Sequence, residues 1–285
     1  MKSNSAQADY LPIQKLHPFE GHPFKVIDNE EMDQLVFSIL TRGLLTPLVV
    51  RPLDNGEYEV ISGHRRLYAC QKAGIDTVPA LIYNLDRDAA AIALVDSNLH
   101  REHILPSEKA FAYKLKMEAM NRQGERTDLT STQAVSKLRS NELIGQETGE
   151  SREQVRRYIR LTELEPELLK LVDENKIALT PAVELSYLKP AEQQYLLQAM
   201  SIGDCTPSYS QAVHLKKMSQ MGVLSTNLID HIMGEPKANQ KEKISFKMED
   251  IRKFFPRGYD AVKIQETIMK LLKEYQRQRQ NELSR

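Results

Sequence analysis

The sequence predicts three consecutive parts: an α+β domain, an all-α domain built around a helix-turn-helix, and a small C-terminal α/β element. In the first hundred residues, short β-rich runs alternate with amphipathic helical patterns. A helix, a glycine turn and a capped, arginine-rich helix follow, and a polar linker precedes one last strand and helix pattern. We expect domains at 1–103 and 104–233, a linker at 234–243, and the C-terminal element at 244–285.

Composition indicates folded globular domains. The 285 residues are 41% hydrophobic and 27% charged, which is typical of neither disordered nor membrane-spanning chains. Apolar runs are too short to cross a bilayer, and residues 1–10 lack the apolar centre of a signal peptide, so we expect a cytoplasmic protein without a membrane partner. Cys70 and Cys205 lack a nearby second cysteine, and His100 and His103 lack further ligands, so neither a disulfide framework nor a structural metal site is predicted.

Charge is balanced over the whole chain but clustered locally. The 39 basic and 39 acidic residues give a net charge of zero, which argues against a uniformly basic nucleic-acid-binding surface. Basic residues outnumber acidic ones within 151–160 and 236–285. Any contact with DNA is therefore expected in those segments.

The first hundred residues predict strands and helices in alternation. Pro12 limits strand pairing, Gly43 favours the end of a helix, and Asp54-Asn55-Gly56 favours a hairpin turn. The predicted elements are a short edge strand at 11–16, a helix at 30–41, hairpin strands at 48–50 and 57–61, a helix after Gly63, a strand at 78–83, and a helix capped by Asp86 that runs through Val95.

The stretch ISGHRRLYACQKAG, residues 61–74, predicts a strand-to-helix junction at Gly63. Glycine permits a sharp turn and close approach of a ligand, and the first turn of a helix presents free N–H groups and the positive end of the dipole. His64, Arg65 and Arg66 lie in that turn, and guanidinium groups bind phosphate oxygens in bidentate fashion. A polyphosphate site and a solvated helix face are both consistent with this stretch alone.

A second polar pair follows at the end of the next predicted helix. Asn98 and Arg101 lie about one helical turn apart on a shared face. An amide and a guanidinium so placed can meet one ligand, although each is also an ordinary helix-end residue. Pro106 then favours the start of a new helix at 105–122.

The middle of the chain predicts a helix-turn-helix. The polar residues 123–132 predict a loop or short linker, and two helical pieces follow, the second at 141–148 before Gly149. Ser151 is the predicted N-cap of the next helix, with Gln154 as its capping-box partner. The second helix of such a motif enters the major groove of DNA. Taken alone, an arginine-rich amphipathic helix of this kind is more often a plain solvated helix, and the preceding glycine turn together with the order of motifs described below favours recognition.

Six polar residues of this predicted recognition helix are candidates for DNA contact. The N-terminal half is expected to reach base edges and the C-terminal half to contact phosphates. The base-edge candidates are Ser151, Arg152, Gln154 and Arg156, and the phosphate candidates are Arg157 and Arg160.

The last fifty residues predict a small element that needs a partner. Ile244, Phe246 and Met248 alternate as in a strand. A helix follows with an apolar stripe of Val262, Ile268, Leu271, Leu272 and Tyr275. One strand and one helix bury too little apolar surface to fold alone, so we expect self-association or docking on the rest of the chain.

The motifs occur in a recognisable order: GLLTPLVVR, then ISGHRRLYACQKAG with VPALI, then SNLHRE with LPSEKAFAY. This order resembles the N-terminal domain of the ParB family of plasmid and chromosome partition proteins, and the resemblance extends through the helix-turn-helix to about residue 200. It implies a ParB/sulfiredoxin-like first domain and a C-terminal dimerisation element. It also implies a homodimeric clamp on double-stranded DNA that binds CTP with Mg²⁺, loads at a centromere-like, parS-type site and then slides away from it. A nucleoid or plasmid location and a ParA-type ATPase partner are further implications, although residues 1–10 lack a clear arginine-bearing motif that would stimulate such an ATPase.

The resemblance assigns nucleotide contacts residue by residue. Asn98 would bind Mg²⁺ together with the triphosphate. The matched positions are Gly43, Thr46 and Pro47 beside the nucleoside, Gly63, His64, Arg65 and Arg66 at the triphosphate, and Asn98 and Arg101 in the second phosphate motif.

Three departures from the family pattern limit what the resemblance implies. His64 stands where a glutamate is usual, and Tyr68 where a third basic residue is usual. Ser97 replaces a glutamate implicated in CTP hydrolysis. The resemblance therefore implies CTP binding, leaves a weak CTP hydrolysis open, and assigns no catalytic residue.

Two other functions remain open from the sequence. A transcription or nucleoid regulator would use the same DNA-binding parts without a partition role. A phosphotransfer or sulfiredoxin-like enzyme would use the first domain alone. Sulfiredoxins carry a Gly-Cys-His-Arg box, whereas Gly63 precedes His64 here, and such an enzyme would not need a helix-turn-helix.

Overall fold

The computed structural model describes residues 6–99, 101, 103–127, 133–235, 251–256 and 258–283. It divides into two compact units between residues 235 and 236. No helix within these described ranges is long and apolar enough to cross a membrane.

The first part of the larger unit contains a five-stranded mixed sheet in the order β1-β5-β3-β4-β2. The β1–β5 and β3–β4 pairs are antiparallel, whereas β3–β5 and β2–β4 are parallel. The hairpin predicted from the Asp54-Asn55-Gly56 turn is therefore confirmed. The strands are β1 (Gln7–Pro12), β2 (Leu16–Pro18), β3 (Leu48–Pro52), β4 (Tyr58–Ser62) and β5 (Thr77–Ile82).

The single edge strand predicted at 11–16 is wrong. Two strands take its place, and they occupy opposite edges of the sheet. A 3-10 turn at Ile13–Lys15 separates them, and the Ile13 N–H donates to Asp76 O at 2.9 Å. Pro12 has no N–H for further pairing, so β1 ends there and the chain crosses to the other edge.

Helices cover both faces of this sheet. Val60 and Ile61 are adjacent and buried, and they belong to two different hydrophobic clusters because neighbouring strand residues point to opposite faces. One cluster includes residues of α1 and α2, and the other includes residues of α3 and α4. These helices are α1 (Glu30–Arg42), α2 (His64–Lys72), α3 (Arg87–Leu99) and α4 (Pro106–Thr127).

The second part of the larger unit is all-helical. Its core contains Leu161, Leu168, Leu185, Leu196 and Leu215, all fully buried. The helices after α4 are α5 (Gln133–Thr148), α6 (Arg152–Arg160), α7 (Pro166–Asp173), α8 (Leu179–Leu185), α9 (Pro190–Gly203), α10 (Tyr209–Gln220) and α11 (Thr226–Gly234).

Three predicted helix boundaries differ from the structure. The loop predicted at 123–132 is helical as far as Thr127, because Gln, Glu and Arg favour a helix and outweigh one glycine; residues 128–132 lie outside the described chain. The two predicted helical pieces before Gly149 form one helix from residue 133. The helix expected to end at Val95 continues to Leu99, which places Asn98 inside the helix.

The smaller unit contains a long helix, α12 (Ala261–Leu283). Of the predicted apolar stripe on this helix, Leu271, Leu272 and Tyr275 are exposed. The linker predicted at 234–243 lies outside the described residues from 236 onward, and so do the predicted strand residues 244–248.

Candidate phosphate-binding cleft and nucleic-acid interface

A cleft of about 510 Å³ lies at the N-terminus of α2. This volume is within the usual range of small-molecule sites. The cleft brings together residues of α1, β4, α2 and the C-terminal end of α3, including six of the sequence-predicted positions. Its lining residues are Glu31, Leu35, Ser62, Gly63, His64, Arg65, Arg66, Ser97, Asn98 and Arg101.

Gly63 forms the junction between β4 and α2. Its φ is 105°, in the region that favours glycine. A Cβ atom there would lie 2.7 Å from Leu48 Cδ2 and 3.0 Å from Arg66 Nη2. The first turn of α2 borders the cleft, and its N–H groups have no partner within the helix. The junction therefore offers backbone donors and the positive helix end to an anion.

Arg65 is the more available of the two adjacent arginines. Its Nη2 atom lies 3.2 Å from Glu31 Oε2, with side-chain exposures of 41% and 69%. Exposed ion pairs of this kind contribute at most about 1 kcal/mol. A phosphate group can therefore displace Glu31 from Arg65 at little cost. Sequence reasoning missed Glu31, because α1 reaches the cleft only through tertiary packing.

Arg66 is committed to the neighbouring loop. Its Nη1 atom donates to Thr46 O at 2.6 Å and to Pro47 O at 2.8 Å. Burial lowers the pKa of this guanidinium from its ordinary value. Arg66 thus fixes the two predicted nucleoside-side residues next to α2. Gly43 ends α1 with a φ of 73° and lies outside the residues that line the cleft.

The His64 side chain does not provide positive charge to the cleft. It is 8% exposed, and its Nε2 atom accepts a hydrogen bond from Phe19 N at 3.2 Å. Its ring lies 3.7 Å from the ring of His22. Burial lowers the pKa of His64 to about 3 and that of His22 to about 4. The neutral imidazole of His64 supports the segment at Phe19, and the predicted contact of His64 with phosphate stays a prediction.

Asn98 is 4% exposed and held in one orientation. Its Nδ2 atom donates to Leu94 O at 2.7 Å and to Ser97 Oγ at 3.1 Å. The amide oxygen then remains as an acceptor, and Mg²⁺ prefers oxygen ligands. Arg101 approaches from the same helix end, with its Cζ atom 5.4 Å from the Phe24 ring centroid. Both residues line the cleft, and the magnesium and phosphate contacts that the resemblance implies for them stay predictions.

No cluster of three or more histidine, cysteine or acidic side chains suited to a metal ion occurs in the described part of the chain. A Mg²⁺ ion bound through Asn98 would therefore take most of its ligands from phosphate oxygens and water, as Mg²⁺ usually does with nucleotides.

The predicted recognition helix, α6, packs tightly after a glycine turn. A Cβ atom at Gly145 would lie 2.6 Å from Glu150 O, and Gly149 has a φ of 72°. Gly145, which sequence reasoning missed, thus allows α5 to approach the turn. Ser151 Oγ accepts a hydrogen bond from Gln154 N at 3.1 Å, which confirms the predicted N-cap. Val155 is fully buried against Tyr113 and Ile144.

The candidate DNA contacts separate into exposed and internally bonded side chains. Ser151, Arg152 and Arg156 are exposed, whereas Gln154 is half-buried. Arg156 Nη1 lies 3.8 Å from Glu153 Oε2, a long distance for an ion pair. These exposed arginines keep the freedom to reach a groove.

Two further arginines of α6 bind residues of the following helices. Arg157 Nη2 donates to Thr180 Oγ1 at 2.7 Å. Arg160 donates to Ser186 Oγ at 3.1 Å and to Ser186 O at 2.6 Å, and its Cζ atom lies 4.2 Å from the Tyr187 ring centroid. Both help to position α6, and their predicted phosphate contacts stay predictions.

Fold and site together define a protein with an α+β domain, which carries a cleft at the start of a helix, followed by a helix-turn-helix domain. Residues 1–99 match the ParB N-terminal domain, and residues 130–204 match the ParB HTH domain. The chain belongs to the ParB family. The predicted ParB-type α+β domain and the all-α helix-turn-helix domain are both confirmed.

A relative of known name agrees with this assignment. The chain is 33% identical over 197 residues to the nucleoid occlusion protein of Geobacillus thermodenitrificans strain NG80-2, which covers 69% of this chain and 64% of that protein. It thus spans just under two thirds of that relative.

Two solved structures are similar to this chain. The pNOB8-like ParB N-domain has the same fold, with a TM-score of 0.50 and 19% identity over 82% of this chain and 97% of that one. The C-terminally truncated ParB of Caulobacter crescentus, complexed with CTP-γ-S, is 28% identical with a TM-score of 0.32 over 63% of this chain and 92% of that one.

Proposed function

We propose that this chain is a CTP-gated, DNA-binding clamp of the ParB family that acts in the segregation of a chromosome or plasmid. The observation that carries the proposal is the cleft at the N-terminus of α2. The cleft brings together the two predicted phosphate-binding motifs, which are far apart in the sequence. The predicted recognition helix lies in the same compact unit. In this proposal CTP binding at the cleft controls how the homodimer holds DNA after it loads at a parS-type site.

The cleft supports a nucleoside triphosphate bound with Mg²⁺. Backbone N–H groups at the start of α2 and the guanidinium groups of Arg65 and Arg101 suit phosphate oxygens. Asn98 presents an amide oxygen suited to Mg²⁺. Mg²⁺ would neutralise phosphate charge, while Arg66 holds Thr46 and Pro47 where the nucleoside is expected.

Hydrolysis is expected to be weak. Ser97 stands at the position where the family usually has a glutamate, and its hydroxyl donates to Leu94 O at 2.9 Å. Among the described residues that line the cleft, Glu31 carries the one carboxylate, and it is paired with Arg65. A neutral hydroxyl is a poor general base at neutral pH. In this proposal the hold of the clamp on DNA is therefore controlled by the binding of CTP more than by its hydrolysis.

The long C-terminal helix α12 supports homodimer formation. Met269, Leu272 and Tyr275 are more than half exposed and lie three residues apart. Side chains at this spacing share one face of a helix, and an exposed apolar face commonly marks an interface. We place the dimer contact on this face.

Nucleotide titration tests the cleft. Purified protein with Mg²⁺ is titrated with CTP, ATP, GTP and UTP, with CTP expected to bind most tightly. Arg65→Ala should weaken CTP binding by about tenfold, equivalent to ~1.4 kcal/mol. Arg87→Ala is the matched control, because Arg87 pairs with Glu20 at 2.8 Å outside the cleft. Equal affinity for all four nucleotides, or no effect of Arg65→Ala, would refute the proposed cleft.

Duplex selection tests the recognition helix. A specific duplex is selected from a random pool, and binding is compared with random duplex at several salt concentrations. Arg152→Ala and Arg156→Ala should each weaken specific binding by about 1–3 kcal/mol and random binding less. Lys170→Ala is the control, because this 75% exposed side chain lies on α7. Equal losses on both duplexes would show contact with the backbone alone.

A second candidate function is favoured by the relatives, which are named nucleoid occlusion proteins. The same CTP- and DNA-binding parts would then serve nucleoid occlusion or gene regulation instead of partition. Occupancy across the genome separates the candidates. Spreading over kilobases around a site supports a sliding clamp, whereas isolated sharp peaks support a regulator. A nucleoid or plasmid location and a ParA-type ATPase partner are part of the partition proposal and are tested by fluorescence microscopy and ATPase stimulation.

A sulfiredoxin-like activity has little support in the cleft. Gly63 stands where a sulfiredoxin has its box cysteine, and Cys70 is fully buried with a pKa raised by burial. A thiol must be exposed and ionised to act as a nucleophile.

A further inference from the structure

Helix α4 belongs to the cores of both domains. Its Ala112 and Ala119 pack in the cluster that contains Leu94 of α3. Its Tyr113 packs in a second cluster with Val155 of the recognition helix α6. Residues 100–129, which include α4, lie between the two family matches. The helix that joins the two domains therefore lies outside both family matches.

Lys116 lies in the middle of α4 and is 1% exposed. Its ammonium group donates to two carboxylates, Asp96 of α3 and Glu147 of α5. These carboxylates are 48% and 54% exposed, so they remain partly hydrated while the ammonium group does not. One buried charge thus links helices from both domains.

Each carboxylate stands beside a functional element. Asp96 immediately precedes Ser97 and Asn98, which line the cleft. Glu147 lies in the last turn of α5, just before the Gly149 turn that leads into α6. A shift of the end of α3 or of α5 therefore changes the environment of the same ammonium group.

Burial makes this group sensitive to such a shift. A buried charge that loses its partners costs several kcal/mol, whereas a paired one is tolerated. If ligand binding moves Asp96 away from Lys116, the ammonium group depends on Glu147 alone as its charged partner, and Glu147 must adjust its position. Conformations in which the end of α3 and the end of α5 both keep their carboxylates on Lys116 are then favoured. Conformations in which only one of the two helices has shifted are disfavoured.

We propose that Lys116 is a positioning residue that couples the cleft to the recognition helix through Asp96 and Glu147. The inference rests on the proposed function, because it assigns regulation to the same two sites. By thermodynamic linkage, the factor by which DNA changes CTP affinity equals the factor by which CTP changes DNA affinity. A role confined to stability would leave this factor unchanged.

The test measures that factor on the full chain. The CTP dissociation constant is measured with and without the selected duplex, and the duplex dissociation constant with and without CTP. We expect a factor of about fivefold or more in the unchanged protein. Lys116→Met keeps an unbranched side chain, shorter by one atom and without the charge, and should bring the factor close to one. Glu147→Gln should lower the factor while keeping an amide donor and acceptor.

The matched control is Lys114→Met on the same helix. Lys114 is 37% exposed and lies 3.7 Å from Glu163, away from the cleft. Its replacement should leave the coupling factor unchanged.

Each outcome bears on the proposal. A folded Lys116→Met protein with the original factor would overturn it, and so would a factor of one in the unchanged chain. If Lys116→Met does not fold, Asp96→Asn and Glu147→Gln decide the question by the same factor. Absence of CTP or DNA binding in the unchanged chain would refute the proposed function and the coupling with it. Retained binding with an unchanged factor in the variants would refute the coupling alone.

Discussion

Gly63→Ala is a direct test of the junction on which the cleft depends. At a φ of 105° a non-glycine residue carries backbone strain of about 1–3 kcal/mol. The new methyl group would also lie 2.7 Å from Leu48 Cδ2, and Leu48 is fully buried. Overpacking of this kind typically costs about 1–3 kcal/mol. We therefore expect a loss of about 2–6 kcal/mol in the free energy of unfolding, a large share of the usual ~5–15 kcal/mol.

Gly74→Ala separates the two contributions. Gly74 follows the same helix with a φ of 67°, and nothing lies within 4 Å of a Cβ atom there. This variant should therefore carry only the backbone strain, about 1–2 kcal/mol. Urea unfolding measures both variants, and equal m-values make their midpoints comparable.

The difference between the two variants measures the contact with Leu48. We expect Gly63→Ala to lose at least ~1 kcal/mol more than Gly74→Ala. Its folded fraction should also bind CTP less tightly, because the start of α2 must shift away from Leu48. Equal losses in stability would show that the backbone does not approach Leu48 closely, and the geometric account of the junction would be refuted.

Three further predictions follow from single contacts. Arg66→Lys cannot donate as a fork to the carbonyls of Thr46 and Pro47, so the CTP dissociation constant should rise about tenfold in calorimetric titration; an unchanged value would contradict the role of Arg66. Ser151→Ala should lower the unfolding free energy by about 1 kcal/mol and Ser151→Asp by much less, as urea unfolding would show; equal losses would contradict the cap. The pKa of His64 is about 3 in the folded chain against 6.5 for an ordinary histidine, so the unfolded chain binds more protons between these values. Stability should therefore fall from pH 6.5 toward pH 3, by up to about 1.4 kcal/mol per pH unit from this group, and His64→Phe should flatten that part of the slope.

Local sequence patterns predicted several elements of both domains. Hydrophobic periodicity and turn residues were sufficient, because each of these features depends on residues close in sequence: the Asp54-Asn55-Gly56 turn, the Gly63 junction and the Ser151 cap. The edge strands were predicted less well, because the crossing from one edge to the other depends on the bond between Ile13 and Asp76. That bond joins residues far apart in the chain.

Long-range contacts explain why the roles of several site residues were not predictable. The imidazole of His64 is held by a hydrogen bond from the N–H of Phe19, 45 residues earlier in the chain. Arg160 is expected to contact DNA phosphates, which stays a prediction, and the structure adds a positioning role that the sequence did not indicate, because its guanidinium binds Ser186 and stacks on Tyr187. A motif predicts which residue types are present, whereas the direction of a side chain depends on its distant neighbours.

The two adjacent arginines show why this direction matters for the chemistry of the cleft. Consecutive side chains on a helix diverge by about 100°. Arg66 therefore turns toward the carbonyls of Thr46 and Pro47, while Arg65 remains beside Glu31. Because Nη1 of Arg66 already donates to two carbonyls and the His64 imidazole is neutral, the motif offers a ligand fewer free side-chain donors than its sequence indicates.

A triphosphate in this cleft would thus depend on Arg65, Arg101, the start of α2 and a metal ion held beside Asn98. The affinity for a triphosphate should consequently fall steeply when Mg²⁺ is removed by EDTA. The same treatment should have little effect on Gly63→Ala, whose cleft is already distorted. If CTP affinity does not depend on Mg²⁺, protein groups must compensate the phosphate charge without the metal ion. That result would contradict the small number of free donors that Arg66 and His64 leave in the motif.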